Sequence, residues 1–92
     1  MTEQYLIGEL SRLIGDFELG SDALVEGALS ELRKCVERAS FGELPALARE
    51  AATLAEMLCM GALERCDACQ FSVYIGRAAA LEEFVVTAGL AA

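Results

Sequence analysis

The chain has 92 residues and a formal net charge of −8, and 55% of its residues are hydrophobic. A chain of this length forms at most one domain, so residues 1–92 are expected to fold as a single helical unit. Seven Lys and Arg residues stand against 15 Asp and Glu residues and form no dense cluster, which excludes a surface built to neutralise nucleic-acid phosphates.

A first helix is predicted from near Thr2 to near Phe17. Its apolar stripe recurs at spacings of three and four and consists of Leu6, Leu10, Leu13, Ile14 and Phe17. Thr2 is a candidate cap at its start. Glu18-Leu19-Gly20 is predicted to connect it to the next helix.

A second helix is predicted to begin at Ser21-Asp22, which is typical of an N-cap with an acidic first turn. Its expected stripe consists of Leu24 or Val25, Ala28, Leu29, Leu32, Cys35 or Val36, and Ala39. Gly42 is expected to stop the helix. The charged face from Glu26 to Arg38 should be solvated, with Lys34 and Glu37 within reach of each other.

A third helix is predicted to start at Pro45, because proline fits the first helical turn. Its stripe consists of Leu44, Leu47, Ala48, Ala51, Leu54, Ala55 and Leu58. Only about five residues separate it from the second helix, so the two should form an antiparallel hairpin. Every residue from Met57 to Leu63 is apolar or glycine, so this part is either buried on all sides or available to a partner.

The segment from Phe71 to Val86 has apolar residues at helical spacing, although FSVYIG alone also resembles a strand. A helix is preferred because no second strand is present to pair with it. Gly89 should end this helix. The predicted fold is therefore all-α, as an antiparallel helical hairpin or a small bundle of three to four helices.

Three of the four cysteines lie between Met57 and Cys69. If the third helix continued through Gly61, then Cys59, Cys66 and Cys69 would share one sector of it. The favoured interpretation is that they are small core residues. One alternative is a thiolate metal site completed by Cys35, and another is a reactive dithiol of the thioredoxin type.

Catalytic, cofactor and metal sites are not predicted. The chain lacks histidine, the commonest general base, and its glycines form no phosphate-binding motif. Uncharged runs reach nine residues, which is too short to span a membrane, and the start MTEQYLIGEL has no basic signal region. A cytoplasmic location and no membrane insertion are therefore expected.

The stretch VEGALSELRKCVERA, followed by PALAREAATLAEML, resembles small acidic helical-hairpin co-chaperones of the type III secretion needle subunit. The matching positions are Val25, Glu26, Ala28, Leu29, Leu32, Arg33, Lys34, Glu56 and Leu58. YIGRAAALEEF, from Tyr74 to Phe84, is similar to the turn and second helix of a tetratricopeptide unit. The second chaperone of the same machinery has such repeats.

This resemblance implies a non-catalytic cytoplasmic protein that binds a second chaperone and helps to cover the apolar helix of a needle subunit. The chain is also richer in apolar residues than a small bundle can bury, which by itself favours homo- or hetero-oligomerisation. The predicted partner-binding residues are Met57, Met60, Leu63, Phe71, Tyr74 and Phe84. The alternatives are a small cysteine-based metal or redox protein, and an adaptor or regulator unrelated to secretion.

Overall fold

A computed structural model describes residues 2–17 and 23–90. Four α-helices form in these ranges: α1 at Glu3–Gly15, α2 at Ala23–Glu37, α3 at Leu44–Glu64 and α4 at Ala68–Thr87. A short 3-10 turn at Phe41–Glu43 precedes α3. No strand occurs in the two described ranges, so the all-α class predicted from the sequence is confirmed.

The helices form a four-membered bundle that is elongated, with extents of 40 × 23 × 18 Å. α1 packs against α2 and α4, and α3 packs against α2 and α4, so each helix has two main neighbours. Short connections make consecutive helices antiparallel. The most extensive packing is between α3 and α4.

The core runs through the middle of the bundle and is mainly aliphatic. Its largest fully buried side chains are Tyr74, Phe17, Leu10, Ile14, Leu29, Leu44, Leu58, Leu81, Leu90 and Val36. Tyr74 on α4 stacks on Phe17 with 6.3 Å between ring centroids. This contact packs α4 against the end of α1. Burial of such aliphatic and aromatic side chains supplies most of the stability of a small bundle.

Polar contacts fix both ends of α1. The Thr2 hydroxyl accepts a hydrogen bond from the Tyr5 amide at 3.2 Å, so the predicted cap is confirmed. At the other end the Arg77 guanidinium on α4 donates to the carbonyl oxygen of Asp16. A cation at a helix C-terminus also interacts favourably with the helix dipole.

The stripe predicted for α2 is confirmed at Leu29 and Leu32, which are buried. Of the two pairs of alternatives, Val25 and Val36 are buried, whereas Leu24 and Cys35 are exposed. Ala28 is also exposed, so its place in the stripe was wrong, because a helix on the outside of a bundle buries one face only. The predicted N-cap at Ser21-Asp22 and the connector Glu18–Gly20 lie outside the described residues.

The end of α2 also differs from the prediction. The helix stops at Glu37, well before Gly42, which lies in the 3-10 turn. Lys34 pairs with Glu31 at 3.2 Å, while Glu37 accepts a hydrogen bond from the Ser11 hydroxyl at 3.1 Å. The predicted pairing of Lys34 with Glu37 is therefore wrong: the Lys34 ammonium lies at Glu31, one turn earlier on α2.

The start of α3 follows a capping box. Glu43 accepts hydrogen bonds from the Ser40 amide at 3.0 Å and the Ser40 hydroxyl at 2.8 Å. These two hydrogen bonds lower the pKa of Glu43, and the one from the Ser40 amide has the larger effect. Pro45 lies in the first turn of α3, as predicted.

The end of α3 overturns the assumption that one helix carries three cysteines. α3 ends at Glu64, and Cys66 adopts a left-handed backbone with φ of 56°. The amide of Cys66 donates to the Leu63 carbonyl and that of Asp67 to the Ala62 carbonyl, both at 3.0 Å. This is the Schellman arrangement, which ends a helix and reverses the chain.

α4 begins directly after that turn. The Asp67 carboxylate accepts from the Gln70 amide at 3.0 Å, which caps the new helix. The helical interpretation of FSVYIG is confirmed, and Gly89, with φ of 73°, ends α4 as predicted. Leu90 then folds back and is buried.

Candidate functional site

Large apolar side chains are exposed together on one side of the bundle, where α3 and α4 meet. Met57, Met60 and Leu63 are 51%, 50% and 53% exposed, and Ile75 on α4 is 47% exposed. Exposed apolar residues elsewhere include Tyr5 on α1, Phe41 in the 3-10 turn and Val86 near the end of α4. Scattered exposed apolar residues are ordinary, whereas a contiguous group marks an interaction surface.

These side chains border a groove with a volume of about 510 Å³. We call it the α3–α4 groove, and its lining consists of Ala52, Ala55, Glu56, Cys59, Met60, Leu63, Phe71, Ile75, Ala78 and Glu82. Along α3 it extends from Ala52 to Leu63, which is about 16 Å or three helical turns. The groove is therefore long enough to receive a short helix along its axis.

The floor of the α3–α4 groove is made of small residues. Ala55 and Cys59 are buried there, with Ala78 half-buried beside them. Small side chains let a second backbone come close, while Met60, Leu63 and Ile75 stand higher at the sides. Methionine side chains are flexible and polarisable, so the walls can adapt to different apolar surfaces.

A smaller cavity continues the groove at the turn between α3 and α4. We call it the turn pocket; it has a volume of about 220 Å³ and is lined by Ala62, Leu63, Cys66, Asp67, Ala68 and Phe71. Leu63 and Phe71 line both the groove and the turn pocket. The two cavities are therefore adjacent, with Leu63 and Phe71 at their common border.

Charge at the α3–α4 groove has a single sign. Among the described residues, Glu56 and Glu82 are its only charged lining residues, and both are exposed. None of the seven Lys and Arg residues lines it. On the other side of Met60 a second depression is bordered by Glu56 and Glu64, so carboxylates flank the apolar surface there as well.

The first three predicted partner-binding residues lie at this surface. Met60 and Leu63 line the α3–α4 groove, and Met57 lines the neighbouring depression. The apolar circumference of this part of α3 thus faces the interior on one side and solvent on the other. Whether a partner contacts these residues stays a prediction.

The three predicted aromatic residues lie in different parts of the structure. Phe71 is half-buried and lines the groove and the turn pocket. Tyr74 is fully buried against Phe17, so its proposed role as an exposed anchor is corrected: its ring belongs to the bundle core. Phe84 is half-buried and faces α1, where it lines a cavity with Tyr5 and Leu13.

Three residues that line the groove were not predicted from the sequence to do so: Ile75, Glu56 and Glu82. Tyr74 and Ile75 were placed together on one stripe, and spacing alone does not decide which of two adjacent residues faces the core. Glu82 was treated only as part of a solvated face. Its position opposite Ala52 follows from the antiparallel pairing of α3 and α4, which the sequence pattern does not contain.

The cysteines do not converge in the structure. Cys59 is buried, whereas Cys35, Cys66 and Cys69 are exposed. Burial raises the pKa of the Cys59 thiol, and the nearby Glu56 carboxylate adds to that rise. Within residues 2–17 and 23–90, no three Cys, Asp or Glu side chains group as metal ligands would. Of the three cysteines expected in the core, only Cys59 is there.

No helix in the described part of the chain is both long and apolar enough to cross a membrane. No protein family, no curated protein and no solved structure matches the chain significantly.

Proposed function

We propose that this chain is a non-catalytic protein-binding module that covers an apolar helix of another protein and keeps that protein soluble. The observation that carries the proposal is the largely apolar surface formed by the α3–α4 groove and the adjacent turn pocket. A soluble monomer gains nothing from leaving Met57, Met60, Leu63 and Ile75 half-exposed in one place.

The shape of the site favours a helix over a small molecule. The groove is open along one side, about three turns long, and floored by alanine and cysteine. Helix-in-groove recognition uses such surfaces, with apolar anchors at spacings of three and four. A small-molecule pocket instead encloses most of its ligand's surface.

This function agrees with the resemblance to co-chaperones of the type III secretion needle subunit. The two resembling stretches correspond to α2 and the first part of α3, and the proposed surface lies on α3 and α4. In that class the chain acts in the cytoplasm, as one member of a hetero-oligomer with a second chaperone and the needle subunit. An adaptor that binds a helix outside secretion would use the same surface.

The test replaces one wall residue by a charge. Met60→Glu is expected to keep the helical circular dichroism of the wild type and to lose partner capture in the native host, because an exposed anchor matters for binding rather than folding. Val86→Glu is the matched control, since Val86 is 63% exposed and does not line the groove.

Ile75→Glu repeats the test from α4, in case Met60→Glu disturbs folding. Partner capture that survives both groove substitutions in folded protein contradicts the proposal. Capture lost equally in Val86→Glu also contradicts it, because the effect would then not be specific to the groove.

A further inference from the structure

The two ends of the α3–α4 groove differ in chemistry. α3 and α4 are joined by residues 65–67, so Leu63 and Phe71 lie at the turn end of the groove. Ala52 and Glu82 lie at the opposite end. The turn end adjoins the turn pocket, which is lined by apolar side chains and by Asp67, whose carboxylate caps α4. Glu56 and Glu82 both lie in the opposite half of the groove.

We infer that the occupant is an amphipathic helix of a different protein, with a large apolar residue at one end of its apolar stripe and Lys or Arg at the other. The inference rests on the proposed function and adds the chemistry and direction of the partner. The large residue would enter the turn pocket, and the basic residues would lie beside Glu56 and Glu82.

Charge argues for a basic occupant. Glu56 and Glu82 are exposed carboxylates, and neither forms an ion pair within residues 2–17 and 23–90. In the part of the chain that the structure describes, no Lys or Arg side chain lines the groove to balance them. Complementary charge beside an apolar contact raises the rate of association and selects the partner.

The same charge argues against a second copy of this chain as the occupant. A symmetric dimer through the groove would place the same patch of both copies in one interface. Such a dimer would bring four carboxylates, two from each copy, into one interface of a chain that already carries a net charge of −8. Like charges brought together in this way disfavour association.

Size limits the occupant to a short segment. A groove of about three turns accommodates anchors at positions i, i+4 and i+7 of a helix, with room for one larger side chain in the turn pocket. Ala55 and Ala78 on the floor let the partner's backbone come close at its middle, which leaves room there for small anchors only. The large anchor therefore belongs at the turn end.

The experiment uses the full chain and four synthetic helical peptides that share one apolar stripe. Three peptides have Leu at the end meant for the turn pocket and carry Lys, Gln or Glu at the opposite end. In the fourth, Lys flanks the Leu end instead. Fluorescence anisotropy measures the dissociation constant of each peptide.

The Lys peptide is expected to bind roughly 3- to 10-fold more tightly than the Gln peptide, as two exposed ion pairs would give. The Glu peptide should bind most weakly, and the fourth peptide should lose the advantage of its lysines. Glu56→Gln/Glu82→Gln should abolish the preference for Lys. Glu50→Gln/Glu83→Gln changes the net charge equally outside the groove and should retain the preference.

The outcomes separate this inference from the proposed function. Equal binding of the Lys and Gln peptides overturns the inference and leaves helix binding intact. Dimerisation of the chain that Met60→Glu abolishes, measured by sedimentation equilibrium, overturns it in favour of a second copy. Failure of every peptide to bind, together with full partner capture by Met60→Glu, overturns both.

Discussion

Replacing Cys66 with glycine should stabilise the protein. Cys66 occupies a left-handed position with φ of 56° in the turn after α3. That conformation costs an L-residue about 1–2 kcal/mol, and glycine adopts it freely. The Cys66 side chain is exposed, so its removal sacrifices little packing.

The magnitude follows from two opposing terms. Relief of the backbone strain raises the free energy of unfolding by about 1–2 kcal/mol, while the greater freedom of glycine in the unfolded chain lowers it by about 0.5–1 kcal/mol. The net gain is about 0.5–1 kcal/mol, which corresponds to a rise in Tm of about 2–8 °C for a domain of this size.

Thermal unfolding followed by circular dichroism measures this change. Cys66→Ala is the matched control, because it also removes the thiol but keeps a Cβ in the left-handed position. Cys66→Gly should melt above both the wild type and Cys66→Ala. A glycine variant that melts at or below the alanine variant would refute the assignment of a Schellman turn at this position.

Two further predictions concern the core. Leu32→Ala should lower the free energy of unfolding by about 2–5 kcal/mol in urea titration, whereas Leu24→Ala should change it by less than about 0.5 kcal/mol, since Leu24 is 88% exposed; equal effects would show that the α2 stripe is misassigned. Cys59 should react more slowly with a thiol reagent than the exposed Cys66 and Cys69, because it is buried and its pKa is raised. Four equally fast thiols in the folded protein would contradict the burial of Cys59.

Local signals in the sequence were sufficient for most of the helix framework. Two helix starts, at Thr2 and Pro45, and one helix end, at Gly89, were predicted correctly, because caps and helix breakers act on residues close to them in the chain. The end of α3 was missed because its stop is a cysteine in the left-handed position. Nothing in the composition of GALERCDAC identifies such a residue, which glycine would normally supply.

The candidate site was only half predictable. The apolar run from Met57 to Leu63 is visible in the sequence, because no polar face interrupts it. Tyr74 and Ile75 are adjacent, and only the packing of α4 against α1 and α3 decides that Tyr74 faces inward and Ile75 outward. The packing of α4 against α3 also places Glu82 at the groove.

Methyl chemical-shift mapping by NMR with the tightest-binding helical peptide shows directly whether the α3–α4 groove receives a helix. The methyl signals of Met60 and Ile75 are expected to move on titration, with those of Leu63 and Met57 following, while those of Val86 stay in place. Shifts confined to Val86 and other residues outside the α3–α4 groove, with Met60 and Ile75 unmoved, would contradict helix binding at the groove.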